Sequence, residues 1–451
     1  MASKTIKQKT DIKKNSKVQM NSEYKLSPIG VIPFDWEILM GKDISIKITK
    51  GSSPNWQGFN YTDKGILFIT SENVRNGSLS LQYPKFLPEA FNEKQKNSIL
   101  QHGDILINIV GASIGRSAIF QLNIDSANIN QAVCLLRLKP KIDKQYILQY
   151  LQHPRNIKIL IGNQSESARP NLNLEDIGSF NFVIPPLREQ LKISKILNTW
   201  DDAIKATDRL IHAKMKCKKS LMQKLLSGEK RLKGFEKEKW KKVEFESVFK
   251  FLSTTSYSRE QLCYEHTKSS IYCIHYGDIH STYSQIILDF KKENRIPVLI
   301  KGIDLPNHPE YLKDGDLLIA DASEDYEGVG KCIELTNIGA KKVIGGLHTI
   351  AVRDNSNSTY SGFRPYIFKN HKVITELKKL ATGSKVYGVS KSNISKLEIL
   401  LPSNHEQKKM VSIFVEADKE IELLKQKLEI LKKQKQGLMQ LLLTGKRRVE
   451  V

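Results

Sequence analysis

Two stretches of this chain carry apolar residues at alternating steps of four and three, and the two stretches match each other. The first has Ile193, Leu197, Trp200, Ile204, Ile211, Leu221 and Leu225; the second has Met410, Phe414, Ala417, Ile421, Leu424, Leu428, Leu431, Leu438 and Leu442. That spacing is the seam of a coiled coil, so each stretch predicts one long helix. Ile184-Pro185-Pro186-Leu187-Arg188-Glu189-Gln190 opens the first and Leu225-Leu226-Ser227-Gly228-Glu229-Lys230-Arg231 closes it. Leu401-Pro402-Ser403-Asn404-His405-Glu406-Gln407 opens the second, which closes with Leu442-Leu443-Thr444-Gly445-Lys446-Arg447-Arg448. Glu189 and Glu406, Ile196 and Ile413, Asp201 and Asp418, Gly228 and Gly445 are each separated by 217 residues. A register that holds without gaps for about fifty residues is an internal repeat.

The ends of each stretch carry the expected signals. Prolines stop the preceding extended segment, Glu189 and Glu406 suit the positive start of a helix, and Ser403 with Glu406 has capping-box spacing. Gly228 and Gly445 stand where a left-handed C-terminal cap is expected, among basic residues. At 1.5 Å per residue a helix of roughly forty residues is about 60 Å long and exposes its stripe unless a partner covers it. The chain supplies a matching stripe, which favours pairing of the two helices, antiparallel, as an intramolecular coiled coil. The alternative is two independent helices, each docked on its own domain or used for self-association.

Elsewhere the periodicity changes to short β-rich runs. Residues 65–70, 104–109 and 132–138 read as strands between Gly, Asn, Pro and Asp, with helices over Lys144 to Gln152 and Arg155 to Ile161. After the first long helix, residues 271–276, 316–320 and 347–352 read the same way. Leu100 to Ile107, with Gly103-Asp104, parallels Leu312 to Ile319, with Gly315-Asp316, and Phe34-Asp35-Trp36 parallels Lys239-Trp240. The organisation is α+β: a basic flexible tail over 1–28, a globular domain over 29–183, a long helix over 184–234, a second globular domain over 235–401 and a second long helix over 402–451. Two similar helices with two divergent domains suggest a fixed frame carrying different readers, although drift between structural copies would give the same pattern.

A formal net charge of +23 over 451 residues suggests a polyanionic partner. Five cysteines (Cys134, Cys217, Cys263, Cys273, Cys332) form no CxxC pair, which fits a reduced, cytoplasmic compartment, and no apolar run approaches transmembrane length. Cys263, His266, Cys273, His275 and His280 are soft ligands within a short span, but their spacing matches no zinc finger or ribbon, so no metal is expected.

Catalytic signatures are missing. No GxxxxGK[ST] occurs, for Gly383-Ser384-Lys385 and Gly445-Lys446 lack the upstream glycine; there is no GxGxxG after a strand and no HExxH. The only double proline, Pro185-Pro186, precedes Leu187 and so makes no amino-methyltransferase turn. Glu236 and Lys239 could imitate a nuclease pair, but they read as a solvated linker.

Taken together, the paired Pro-x-x-x-Glu-Gln openings, the Leu-Leu-[Ser/Thr]-Gly endings, the Gly-Asp-[Ile/Leu]-Leu-Ile strands, Tyr276-Gly277-Asp278-Ile279-His280, Ala320 to Asp325 and Gly346 to Thr349 resemble the specificity (S) subunit of type I restriction-modification systems. The likeness runs from about Ile29 to Val449. It implies a non-catalytic subunit whose two target recognition domains each bind half of a bipartite double-stranded DNA target, with the helix pair as the ruler between them. It also implies two modification subunits that methylate adenine with S-adenosylmethionine, and restriction subunits that use ATP and Mg to cut DNA. This chain itself would hold no cofactor. The other readings are an assembly adaptor that binds DNA without choosing sequence, and a nuclease.

Lys and Arg supply phosphate contacts, whereas base identity is read by side chains on loops that enter the grooves. Candidate readers in the first domain are Lys50, Ser52, Ser53, Asn55, Arg75, Asn76, Ser113, Arg116, Arg169 and Asn171; in the second they are Tyr276, Asp278, His280, Ser323, His348, Lys385 and Tyr387. Each has a structural alternative: Asp278 and Ser323 as turn caps, His348 as a satisfied buried histidine, Arg169 and Lys385 as phosphate contacts only. The basic residues between Lys214 and Lys224 read as a solvated or partner-binding helix face. Replacing both Leu424 and Leu428 with Lys should separate the helices and abolish assembly with partners, because each change puts an unpaired charge into the seam; size-exclusion chromatography showing retained assembly would contradict the pairing.

Overall fold

The computed structural model describes residues 23–451 except 125, 163–170, 268–269 and 384–385. The chain forms two compact units, one made of residues up to Asp208 with Gln426–Val451, the other of Arg209–Lys425. Each is mixed α and β, and each repeats one plan.

In the first unit, four antiparallel strands run in the order Ser117–Ile119, Ile105–Asn108, Val133–Leu138, Ser45–Lys50. A smaller sheet places Ile66–Ile69 between Ala127–Ile129, which is parallel to it, and Lys85–Leu87. In the second unit the corresponding order is Cys332–Thr336, Leu317–Ala320, Thr349–Asp354, Phe249–Leu252, with Ile287–Asp289 added at the edge. Ile271–Ile274 again lies parallel to a short strand, Lys342–Gly345. The central strands Ile105–Asn108 and Leu317–Ala320 are buried along their whole length, which is why they read as unbroken apolar runs.

The same Gly-Asp turn starts both central strands. Gly103 and Gly315 take φ of +99° and +89°, a region open to glycine. Asp104 then accepts from the Gln101 amide at 2.6 Å and from Arg137 Nε at 2.7 Å; Asp316 accepts from the Lys313 amide at 2.7 Å and from Arg353 Nε at 2.8 Å. Both carboxylates are buried, so each strand's start depends on an arginine from the neighbouring strand.

The two long helices span Leu187–Leu226 and Asn404–Leu442 and pair antiparallel. Each unit contains the opening of one and the ending of the other. In the first unit Ile193 and Leu197 share a core with Met439, Leu442 and Leu443, together with Trp36, Tyr146 and Phe182 of the domain. In the second, Leu225 and Leu226 pack with Met410 and Phe414, and with Phe245, Phe368 and Ile399. Pairing and docking on a domain, posed above as alternatives, are therefore realised together.

Ion pairs line the helix pair, and they come in duplicate. Lys435 Nζ lies 2.6 Å from Asp201 in the first unit, and Lys218 pairs with Asp418 in the second. These are the same pair, because 201 + 217 is 418 and 218 + 217 is 435. Lys214 adds a contact to Glu420 at 2.7 Å. Positions 214, 218 and 435 continue the seam spacing but carry lysine, so an apolar stripe cannot register them.

At the helix ends Arg448 donates through Nε to Glu189 at 3.0 Å and through Nη1 to Asp35 at 2.8 Å. Arg231 donates to Glu406 at 3.1 and 2.9 Å, and Trp240 Nε1 adds a third bond to that carboxylate at 2.8 Å. Gly445, at φ +71°, is required twice over, since a Cβ there would lie 2.3 Å from Pro33 Cδ. The glutamines beside the glutamates fasten the domains: Gln190 accepts from the Asp143 amide at 2.8 Å, and Gln407 from the Tyr360 amide at 2.7 Å.

Two expectations are corrected. Ser403 Oγ accepts from the Glu406 amide at 3.4 Å, but the Glu406 carboxylate is taken by Arg231 and Trp240, so the capping box is not closed. Tyr24–Ser27, expected in the flexible tail, pairs as a strand with Gly30–Pro33, and Tyr24 Oη donates to the Gly445 carbonyl at 3.2 Å. Residues 1–22 of that tail lie outside the described residues.

Glu406 is fully buried, so Glu406→Ala should cost the second unit about 3–5 kcal/mol by leaving Arg231 without its counter-charge. Lys214→Ala, in a pair 40% and 50% exposed, should cost under about 1 kcal/mol. Urea unfolding followed by tryptophan emission compares them; equal shifts of the transition would contradict the ranking.

Candidate nucleic-acid interface

The strand registers bring several loops to one end of each central sheet. In the second unit Ala320 pairs with Thr349, Ile319 with Cys332 and Leu252 with Ala351, so the segments after Leu252, after Ala320 and before Thr349 emerge together. Pairing of Ser323 with Tyr387 adds a fourth segment. The Tyr276 ring then lies 5.3 Å from His348 and 6.2 Å from His280, while His280 Nε2 contacts the Ala322 carbonyl at 2.9 Å. Tyr276, His280, Ser323, His348 and Tyr387 thus converge from four separate stretches of sequence.

His348 is not the buried histidine weighed above. Its side chain is half exposed, it adopts φ +56°, and its Nδ1 lies 3.1 Å from Asp321 Oδ1. A non-glycine residue held left-handed at a loop tip is an uncommon arrangement and marks a constrained side chain. Asp278 and Ser323 face inward instead. Asp278 is 1% exposed and accepts from Arg259 Nη1 at 2.7 Å and the His275 amide at 3.1 Å. Ser323, 2% exposed, donates to the Asp325 carbonyl at 2.7 Å. Their polar atoms hold the turns of these loops, as the turn-cap alternative describes.

The first unit repeats the layout with other residues. Cys134 pairs with Lys50, Val133 with Asn108 and Ser117 with Ile107, so Lys50 to Asn55 and Val110 to Arg116 leave the sheet at the same end. Asn171 bridges to Val110, and the Leu172 amide donates to Ile109 at 2.8 Å, as the Val389 amide does to Asp321 at 2.8 Å. The Gly77 amide bonds the Ser117 carbonyl at 2.9 Å and brings Arg75 and Asn76 alongside. Lys50, Asn55, Arg75, Asn76 and Asn171 are exposed; Ser53 and Arg116 are half-buried. Ser52 donates to Gln95 Oε1 at 2.9 Å and Ser113 accepts from Asn108 Nδ2 at 3.0 Å, so both support loops. Arg169 and Lys385 lie outside the described residues.

Several further residues line these loops. Trp56, 87% exposed, sits on the short turn Asn55–Gln57, and Arg259 and Lys331 frame the Tyr276 cluster, Lys331 donating to the His280 carbonyl. Selecting polar and basic residues excludes a tryptophan. Arg259 stands on a short helical turn, Arg259–Gln261, as Trp56 does on Asn55–Gln57. Cys273 is buried in a strand, where burial pushes its thiol up to about 12, and among the described residues no group of three or more His, Cys, Asp or Glu is placed to hold a metal.

His275 accepts the Gly277 amide on Nδ1 at 3.1 Å, and burial holds its pKa below the ordinary 6.5, against the raising influence of Asp278. The folded state therefore prefers the neutral ring, and stability is lost as pH falls through the unfolded-state value. NMR titration should place His275 below 6.5; a value above it would contradict this account of the loop.

The type I restriction modification DNA specificity domain model matches residues 33–213 and 237–433. The MjaVIII specificity subunit of Methanocaldococcus jannaschii is 26% identical over 444 residues, covering 93% of this chain and 94% of that one. Two solved structures share the fold. One, from a study of complex assembly and conformational transition of the type I R-M system, has a TM-score of 0.61 at 15% identity, covering 94% of this chain and all of that one. The other, an HsdS subunit from Thermoanaerobacter tengcongensis, has a TM-score of 0.52 at 16% identity, covering 95% of this chain and all of its own. With both domain matches, the duplicated fold and the paired helices in agreement, the chain belongs to the type I restriction-modification DNA specificity family and is a specificity subunit with two DNA specificity domains.

Proposed function

We propose that each domain reads one half of a bipartite duplex target, and that the helix pair sets the gap between the halves. The observation that carries this reading is the duplicated loop platform: the same strand ends present unlike side chains, Lys50, Asn55, Arg75 and Asn171 in one domain, Tyr276, His280, His348 and Tyr387 in the other. A fixed spacing makes both half-sites usable together only at one separation and helical phase. Lysine and arginine on the loops suit phosphate and guanine, asparagine suits adenine, and histidine and tyrosine add hydrogen bonds and flat apolar faces.

In this proposal the chain performs no catalysis and binds no cofactor. Modification subunits bring S-adenosylmethionine and methylate adenine, restriction subunits bring ATP and Mg and cut, and the assembly works in the cytoplasm. Among the described residues no helix is long and apolar enough to cross a membrane, which suits a subunit assembled on DNA.

Exchanging residues 31–183 for the corresponding domain of a relative should change one half of the methylated motif and leave the other half and the gap unchanged, as read by sequencing of modified adenines. An unchanged motif would favour an adaptor that does not choose sequence. Affinity of the complex with a modification subunit should fall steeply with salt as released counterions are replaced, and a flat dependence would remove DNA as the partner.

A further inference from the structure

The 217-residue register continues upstream of the helices, and at one place the two units differ. In the second unit, Gln223 Nε2 donates to the Lys369 carbonyl at 2.7 Å and its Oε1 accepts from the His371 amide at 3.0 Å. Asn370 Nδ2 donates to the Leu226 carbonyl at 2.7 Å and closes the same junction between a short helix and the end of the long one. Moving each position by 217 gives Gln440, Gln152, Pro154, His153 and Leu443 in the first unit. Pro154 has no amide hydrogen to offer. His153 is 7% exposed, and its Nδ1 has no partner.

The junction stays open there. A cavity of about 800 Å³ lies between Pro154–Ile161, the second long helix and the strand Gly30–Pro33. Its floor includes Ile32, Leu160, Phe180 and Leu443, and Gln436, Gln440 and His153 face it as polar groups. Val31 and Ile159 continue the apolar surface outward at 47% and 55% exposure. Arg155 and Lys446 stand at its edge; Asp176, the single carboxylate among the lining residues, is occupied by the Asn173 amide at 2.8 Å.

We propose that this cavity receives an apolar peptide segment with acidic flanks, supplied by a partner subunit of the restriction-modification complex. The inference rests on the functional reading above. Its chemistry is that of the closed junction: Gln440 offers a peptide group the two bonds that Gln223 makes to Lys369 and His371, and His153 offers the third polar contact. Burial lowers the pKa of His153, and its neutral ring suits an uncharged backbone group. The apolar floor takes side chains, while Arg155 and Lys446 select carboxylates over lysines. A charged basic segment such as residues 1–22 of this chain is disfavoured by the same two cations.

The test uses the full chain in complex with a modification subunit. A benzophenone amino acid in place of Ile159 should crosslink on irradiation to an apolar partner segment bordered by Asp or Glu, as mapped by mass spectrometry. Ile159→Arg and Arg155→Glu should each weaken assembly at least tenfold, with the DNA salt dependence of the remaining complex unchanged. Crosslinks confined to residues 1–22, to a second copy of the chain or to nothing, or unchanged assembly of both variants, would overturn the docking. If the wild-type complex methylates no bipartite motif, the functional reading fails; if it does and the variants still assemble, only the docking fails.

Discussion

Each unit depends on one buried carboxylate at the start of a long helix, held by an arginine from beyond the end of the other. Glu189 with Arg448 and Glu406 with Arg231 are the same interaction made twice. A buried charge is costly unless it is paired and hydrogen-bonded, so neither helix can be lost without stranding its partner's ion. This explains why the openings and endings of the repeat are its most alike segments. They face one another, and a change on one side must be answered on the other.

Above that frame, the units combine invariant supports with variable tips. The Asp104–Arg137 and Asp316–Arg353 pairs start equivalent strands with nearly the same geometry, whereas the loops at the opposite end share little sequence. Inside those loops, half-buried Ser52 and Ser113 and buried Asp278 and Ser323 fix backbone and neighbours, beside exposed Lys50 and Asn171, half-buried Tyr276 and half-exposed His348. The units do not match everywhere. Trp240 donates to Glu406, while Trp36 Nε1 is buried without a partner and Arg448 turns to Asp35 as a second anion. The open junction beside His153 belongs to the same pattern, in which a duplicated frame loses local contacts in one copy only.

What the sequence alone determined was whatever depends on near neighbours along the chain: the two long helices from their periodicity, the repeat from its unbroken register, the central strands from their apolar runs, the Gly-Asp turns and the helix-closing glycines. Tertiary structure decided the rest, because it turns on partners distant in sequence. Lys218 and Lys435 interrupt an apolar stripe and become seam residues only opposite Asp418 and Asp201; Glu406 has capping-box spacing, yet Arg231 and Trp240 claim it from across the fold. Of the candidate readers, residue type and loop position identified most of the loops, but only strand register shows that Tyr276, His348 and Tyr387 meet, and only burial separates them from Asp278 and Ser323. Periodicity is a local property, whereas the pairing of a charge and the direction a side chain faces are settled by what lies across the gap.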